Sequence, residues 1–393
     1  MTGPVLALNA GSSSVKFAVF QPGDAPHAKL RGEIEDIAAA PHLLALDAAG
    51  VVLAERRWPS DRVPSFTDLI DALLGVVDAH LGPDELIAVG HRVVHGGPDL
   101  SAPALVTPAL LVALEALTPF DPMHMPHSLA PIRAISAARP GLAQIACFDT
   151  AFHQTMPLVA TQFAIPRALS AAGVRRYGFH GLSYEYIASQ LKRHAPALSR
   201  GRVVVAHLGS GASLCALLAG QSIATTMGFS VLDGLVMATR CGNLDPGVVL
   251  YLGRLGHSFA DIETLLYEDS GLLGVSGISG DLRVLIASDD PRAAEAIDLF
   301  TYRIGTESGA LVSALGGLDG LVFTAGIGQN ASAIRAGICA RLAWLGVRLD
   351  ETANTAGLAV ISTADSKVEV RVIAANEEAM IASHALARLL SDA

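Results

Sequence analysis

Apolar positions follow two rhythms along the chain, and the alternation between them predicts the elements. Val5-Leu-Ala-Leu8 is a short apolar run, Asn9-Ala-Gly-Ser-Ser-Ser14 a tight polar turn, and Val15-Lys-Phe-Ala-Val-Phe20 a returning strand. Residues 24–64 alternate short apolar runs with Gly and Pro, as further strands of a meander do. Phe66 to Leu81 changes to a helical period, with Ser65 or Thr67 as cap. Leu86 to Gly97 reads as a strand running into a glycine turn, and Thr107-Pro108 opens a helix in the favoured cap-then-proline order. Met123 to Ser128, with His124 and His127, reads as a loop before another helix. A buried run from Ile145 ends at Asp149, and a helix is expected from Tyr184.

The opening pattern then returns. Arg202-Val-Val-Val-Ala-His-Leu-Gly-Ser-Gly-Ala-Ser-Leu-Cys-Ala-Leu-Leu218 is again strand, small-residue turn, strand, with Gly209 on Gly11 and Ser210 on Ser12. Internal duplication is the economical explanation. Two like domains facing each other, each offering such a turn, would grip one nucleotide's phosphates between them. Thr225 to Pro246 is a long loop rich in Gly, Thr and Asp. Helices are expected at Pro246–Leu255, Phe259–Tyr267 and Pro291–Leu315. Leu321 to Asn330 reads as strand, glycine turn and helix start, Val368–Ala374 as the last strand, and Asn376-Glu-Glu378 as the entry to a final helix reaching Leu390.

Composition narrows the class. At 393 residues two domains are the default, and 51% apolar content supports a large core. The net charge of −10 without a basic block disfavours nucleic acid and anionic membranes as partners. Every apolar run is interrupted well short of the roughly 20 residues of a membrane span. The first residues lack a basic region and do not read as a signal peptide. Cys147, Cys215, Cys241 and Cys339 lack metal-ligand spacing and read as small buried residues in a reducing cytosol. The expectation is a cytoplasmic α/β protein.

Several polar residues stand where chemistry occurs in such folds. Asp149, at the end of a buried strand, is placed to bind Mg²⁺, take a proton or cap the next turn. Arg92, in an otherwise apolar strand, needs an anion: a structural carboxylate or a substrate. The Ser-rich turn before Lys16 reads either as a phosphate cradle or as an ordinary hairpin. His124 and His127 do not form a metal site on spacing alone. His180 lies in the basic, aromatic loop Arg175 to Ser183, either structural or facing an anion. Glu377 and Glu378 complement a helix dipole, or bind metal if Asp149 is near.

Together these blocks resemble the acetate kinase family, which comprises acetate, propionate and butyrate kinases. Asn9 to Phe17, Gly90 to Gly97, Phe148 to Pro157, Arg176 to Gly181, Met227 to Gly242 with Leu244-Asp-Pro246, and Asn376 to Glu378 each match a family motif, in order from end to end. The resemblance implies an α/β fold of two duplicated actin-like ATPase (ribonuclease H-like) domains, with mixed sheets flanked by helices and the active site in the interdomain cleft. Residues 1–149 plus 379–393 would form the N-terminal domain, and 150–378 the nucleotide-binding one. It also implies reversible phosphoryl transfer from ATP to acetate with Mg²⁺, or Mn²⁺ in its place, in a cytoplasmic homodimer.

By motif position, Arg92 and Arg240 would bind the carboxylate and the transferring phosphoryl. His180 would donate to that phosphoryl in the transition state. Asn9, Asp149 and Glu377 would hold or orient the metal, and Val94, Met123, Phe179 and Val231 would line the acyl pocket. The nucleotide would meet Ser12, Lys16, His207, Gly209, Ser210, Gly211, Asp281, Leu282, Arg283, Gly326, Ile327, Gly328 and Asn330. The chain departs from the family at Met123, Leu182, Tyr184, Ser210, Val231, Asn243 and Gln329. A single methylene is worth about 1–3 kcal/mol of discrimination, so propionate should also be accepted. The alternatives are a propionate or other short-chain acyl kinase, a pyrophosphate-using member (disfavoured by the adenosine-side motifs), and a weakened nucleotide-binding member.

Overall fold

The first sheet follows from the apolar alternation of the N-terminal third. Its strands are β1 Val5–Ala10, β2 Val15–Gln21, β3 His27–Glu35, β4 His42–Asp47, β5 Val52–Arg57, β6 Ala88–Val93, β7 Ala104–Leu105 and β8 Ala143–Phe148. They lie in the order β5-β4-β3-β2-β1-β6-β8-β7. β1 pairs antiparallel with β2 and parallel with β6, which pairs parallel with β8. This computed structural model describes residues 3–11, 13–23, 26–82 and 85–391, so Ser12 lies outside the described residues.

Both faces of this sheet are covered, which explains why β1 is apolar at nearly every position. Leu6, Leu8, Phe17 and Val89 pack on one side with Leu69, Ile70, Leu73 and Val77 of the helix Phe66–Leu81. That helix is closed by a Ser65–Asp68 capping box. On the other side Val5, Ala7, Ala88 and Cys147 meet Ile381, Ala382 and Ala385 of the final helix, Glu377–Ser391. At Gly90 a Cβ would sit 2.5 Å from Ile381 Cγ2, so the glycine permits this close packing.

The second sheet comprises β9 Arg202–Leu208, β10 Ala212–Leu218, β11 Gln221–Thr225, β12 Gly320–Thr324 and β13 Glu369–Val372, in the order β11-β10-β9-β12-β13. Its directions repeat those of β3-β2-β1-β6-β8: β9 is antiparallel to β10 and parallel to β12, and β12 is parallel to β13. The duplication read from the two small-residue turns is therefore a duplication of topology. The long helix Pro291–Leu315 lies on this sheet, capped by Asp290 and ended by Gly316 in the left-handed region. The chain divides into two units, one of Met1–Ala151, Gly181–Tyr186 and Asn376–Ala393, the other of Phe152–His180 and Ile187–Ala375. Among the described residues no helix is long and apolar enough to cross a membrane.

Several local expectations are corrected. The helix Met125–Ala138 starts inside the expected loop and takes in His127, because Pro126 presets the first turn and the Asp121 carbonyl accepts from Met125 N. The helix Gly181–His194 starts before Tyr184, because His180 turns the chain in a left-handed conformation (φ 59°). The last strand is trimmed to Glu369–Val372. Cys147, Cys215 and Cys339 are buried, but Cys241 is only half-buried.

Candidate active site

In the first unit, β1, β6 and β8 run parallel and end on the same edge of the sheet, which is where such sheets present ligand-binding groups. Asn9 is near the end of β1, Arg92 near the end of β6, and Asp149 directly after β8. Arg92 directs Nε and Nη2 to one oxygen of the buried Asp149, at 2.8 and 2.6 Å. Its Nη1 reaches Asn9 Oδ1 at 3.4 Å. Asn9 Nδ2 in turn donates to Glu377 Oε2 at 2.7 Å and Glu378 Oε1 at 3.2 Å. One line of hydrogen bonds thus runs from Asp149 to the start of the final helix, and Arg92 has found the carboxylate its strand position demanded. Burial alone would lower the Arg92 pKa, but the charges of Asp149 and Glu377 outweigh it and hold the guanidinium firmly protonated.

Glu377 and Glu378 share one amide. Burial, and after it the neighbouring Glu377 charge, push the Glu378 carboxyl above its usual range. The oxygen-only donors Asn9, Asp149 and Glu377 suit Mg²⁺. Among the described residues no group of three His, Cys, Asp or Glu side chains that could hold a metal ion is present. Lys16 is exposed, sits opposite Asn9 in the β1–β2 register and lowers Glu378 by its charge. Val94 is fully buried in this unit, whereas Met123 is 37% exposed.

The second unit gathers nitrogen donors around its hairpin turn. The His180 ring stacks on His207 with centroids 4.1 Å apart, and its Nδ1 is 2.8 Å from Ser213 Oγ. A Cβ on Gly211 would lie 3.2 Å from Arg240 Nη2 and 3.4 Å from His180 Nε2. The glycine is therefore what lets both side chains lie against the turn. Arg240 Nη1 donates to Val231 O at 2.8 Å, and Ala238 N donates to Ser210 O, tying the Arg240 loop to the turn. Phe179 and Val231 are buried.

The turn after β12 lies next to that hairpin: a Cβ on Gly209 would be 3.8 Å from Ala325 Cβ. Ala325 has a left-handed φ of 62°, Gly326 faces open space, and Asn330 Nδ2 donates back to Gly326 O at 2.9 Å. Non-glycine residues in that region carry a backbone cost that persists at functional turns. A Cβ on Gly328 would lie 3.4 Å from the Phe323 backbone, and Ile327 is half-buried. Asp281 caps the helix Leu282–Ile286 and pairs with the exposed Arg283 at 2.6 Å, while Leu282 points into the core.

Two residues escaped the sequence reading. Arg335 is 1% exposed and donates to Gly328 O, Gln329 O and Asn354 O at 2.7–3.0 Å, clamping the turn after β12 from below. Its signal was an arginine at an inward position of an amphipathic helix, between Ile334 and Ile338. His153 is buried between Ser222 Oγ and Phe179 O, at 2.8 and 3.0 Å, and holds the strand of chain that carries His180. Of the departures, Leu182 and Tyr184 are core positions, whereas Ser210 and Asn243 are exposed.

Comparison with known proteins shows the family. A model of the acetokinase family matches residues 4–383. Acetate kinase of Rhodopseudomonas palustris strain TIE-1 is 52% identical over 391 residues, 98% of each chain. That of Nitrobacter hamburgensis is 51% identical over 393 residues, 98% of this chain and 96% of the other. Among solved structures, a propionate kinase from Francisella tularensis superposes with a TM-score of 0.89 at 37% identity, covering 97% of this chain and 98% of that one. Acetate kinase of Porphyromonas gingivalis gives 0.86 at 35% identity, covering 98% and 100%.

Proposed function

The chain belongs to the acetokinase family, and from that premise we propose that it catalyses ATP + acetate ⇌ ADP + acetyl phosphate. The observation that carries the reading is the convergence of Arg240 and His180 on Gly211, which makes a cationic surface for a phosphoryl group. An acetate oxygen attacks the γ-phosphorus, the bond to the β,γ-bridging oxygen breaks in line, and ADP leaves with its electron pair. A carboxylate is already deprotonated at neutral pH, so no base is needed. The demand is electrostatic, and donors fixed before the reaction meet it without reorganisation.

In this reading Arg92 orients the acetate carboxylate, and Asp149 and Asn9 fix the arginine. His180 and Arg240 donate to the equatorial oxygens of the transferring group. Gly326, Ile327, Gly328 and Asn330, with Asp281, Leu282 and Arg283, receive the adenosine, while His207, Gly209, Ser210 and Gly211 border the phosphates. Mg²⁺, held through Asn9, Asp149 and Glu377, would neutralise phosphate oxygens when bound.

Propionate is the second reading for the acyl group. Three of the assigned pocket residues, Val94, Phe179 and Val231, are fixed by burial, but the exposed Met123 is an unbranched, adaptable wall. The homodimer is supported by the helix Pro246–Arg254 and its successor, where Leu250, Tyr251, Leu255 and Phe259 are 57–90% exposed. A cytoplasmic location is supported by four free thiols. The test is a hydroxylamine trap with Mg-ATP and acetate, propionate or butyrate. Acetohydroxamate formation that disappears in Arg240→Ala is the expected result; no hydroxamate from any acid would reject the reading.

A further inference from the structure

Between Thr150 and Tyr184 the sequence contains no aspartate or glutamate, yet it carries Arg167, Arg175 and Arg176 in a chain of net charge −10. Arg176 has a structural use: Nη1 donates to the carbonyls of Thr226 and Met227 at 2.7 and 2.8 Å and lies 3.2 Å from Asp233. The other two have no such use. Arg175 is half-buried, its guanidinium over the Tyr177 ring at 5.4 Å and its Nε 3.3 Å from the Arg176 carbonyl. Arg167 is exposed, and among the described residues neither arginine has a carboxylate partner.

Both arginines line a cavity of about 620 Å³ in the second unit. Gln162 and Ser170 add hydrogen-bonding groups to its wall, and Phe163 and Ile165 add apolar surface. The volume suits a small molecule, and two guanidiniums without counter-ions are a ready match for two anionic groups. We propose that this cavity binds a small organic dicarboxylate, with one carboxylate on each arginine and the carbon body against Phe163 and Ile165. The apolar wall favours an organic dianion over inorganic phosphate, which has nothing to lay on it. None of the lining residues is among those assigned to acetate, metal or nucleotide, so the site is separate from the phosphoryl-transfer groups. It is nevertheless joined to them, because Thr161 O, in its wall, accepts from Arg176 N at 2.8 Å, four residues before His180.

The test is calorimetric titration of the full-length protein with succinate, in saturating ADP so that the nucleotide residues are filled. One saturable site per chain is expected. Arg167→Glu, an exposed change that leaves folding and the basal hydroxamate rate intact, should weaken it at least tenfold, and Arg175→Ala should do the same. Acetate, with a single carboxylate, should compete at least tenfold more poorly. No saturable heat, or succinate binding unchanged in Arg167→Glu, would overturn the site. Inorganic phosphate binding as tightly as succinate and lost in the same variant would overturn the dicarboxylate assignment. Because this readout is binding, its outcome is independent of whether acetyl phosphate is formed.

Discussion

The turns after β1 and after β9 occupy the same place in two copies of one topology, yet they have gathered opposite chemistry. The first, at Asn9, is wired through its amide to Glu377 and Glu378 and through Arg92 to Asp149. The second, at Gly211, lies against Arg240 and His180, with His207 stacked on the latter. In the proposed reading one copy collects oxygens for a hard cation, and the other collects nitrogen donors for a phosphoryl group. The shared fold supplies only the position at the end of a hairpin; what surrounds each turn decides its use.

That division can be broken from either side. Arg240→Ala should have the largest effect, a fall in kcat of roughly 10²–10³-fold in the hydroxamate assay, with the fold intact by circular dichroism. Gly211→Ala should come next, at about tenfold, because the added methyl would lie 3.2 Å from Arg240 Nη2 and 3.4 Å from His180 Nε2 and shift them by a few tenths of an ångström. Asn9→Ala acts on the other copy: the Mg²⁺ concentration for half-maximal rate should rise by about tenfold, with little change in kcat at saturating metal. If instead kcat fell and the metal requirement stayed constant, the oxygen-rich turn would belong to the phosphoryl group as well.

The last prediction concerns stability rather than turnover. Burial pushes His91, His95 and His153 each down to about 4. The unfolded chain, with histidine near 6.5, therefore binds more protons than the folded one between those values. Stability is fully present above about pH 6.5 and is lost as pH falls toward 4, by about 1.4 kcal/mol per pH unit for each histidine. Urea unfolding at neutral and acid pH should show that slope, and His153→Gln should reduce it by one histidine's share.

The sequence carried the parts of this picture that depend on local order. The β1–β2 and β9–β10 hairpins, the capped helix Phe66–Leu81 and the strand-end position of Asp149 were legible because each rests on a few consecutive residues. A structural carboxylate for Arg92 was one of two open readings, and only packing brings Asp149 to it. Arg335 was missed because nothing nearby in sequence announces the carbonyls of Gly328 and Asn354 that receive it. The early starts of the helices at Met125 and Gly181 were missed because each depends on one backbone turn, at Asp121 and at His180.

The final helix carries a consequence for the order in which the protein is made. Ile381, Ala382 and Ala385 cover the same sheet face as Val5 and Ala7, and Glu377 meets Asn9 across 368 positions of sequence. The first strands leave the ribosome early, but one face of their sheet stays bare until the helix Glu377–Ser391 has been translated. A nascent or truncated chain would hold its hairpins and lack both its lid of apolar side chains and the carboxylates beside Asn9. Its first unit should therefore rely on protection from aggregation during synthesis and reach its functional form only once that helix has docked, at the slow pace that distant contacts impose.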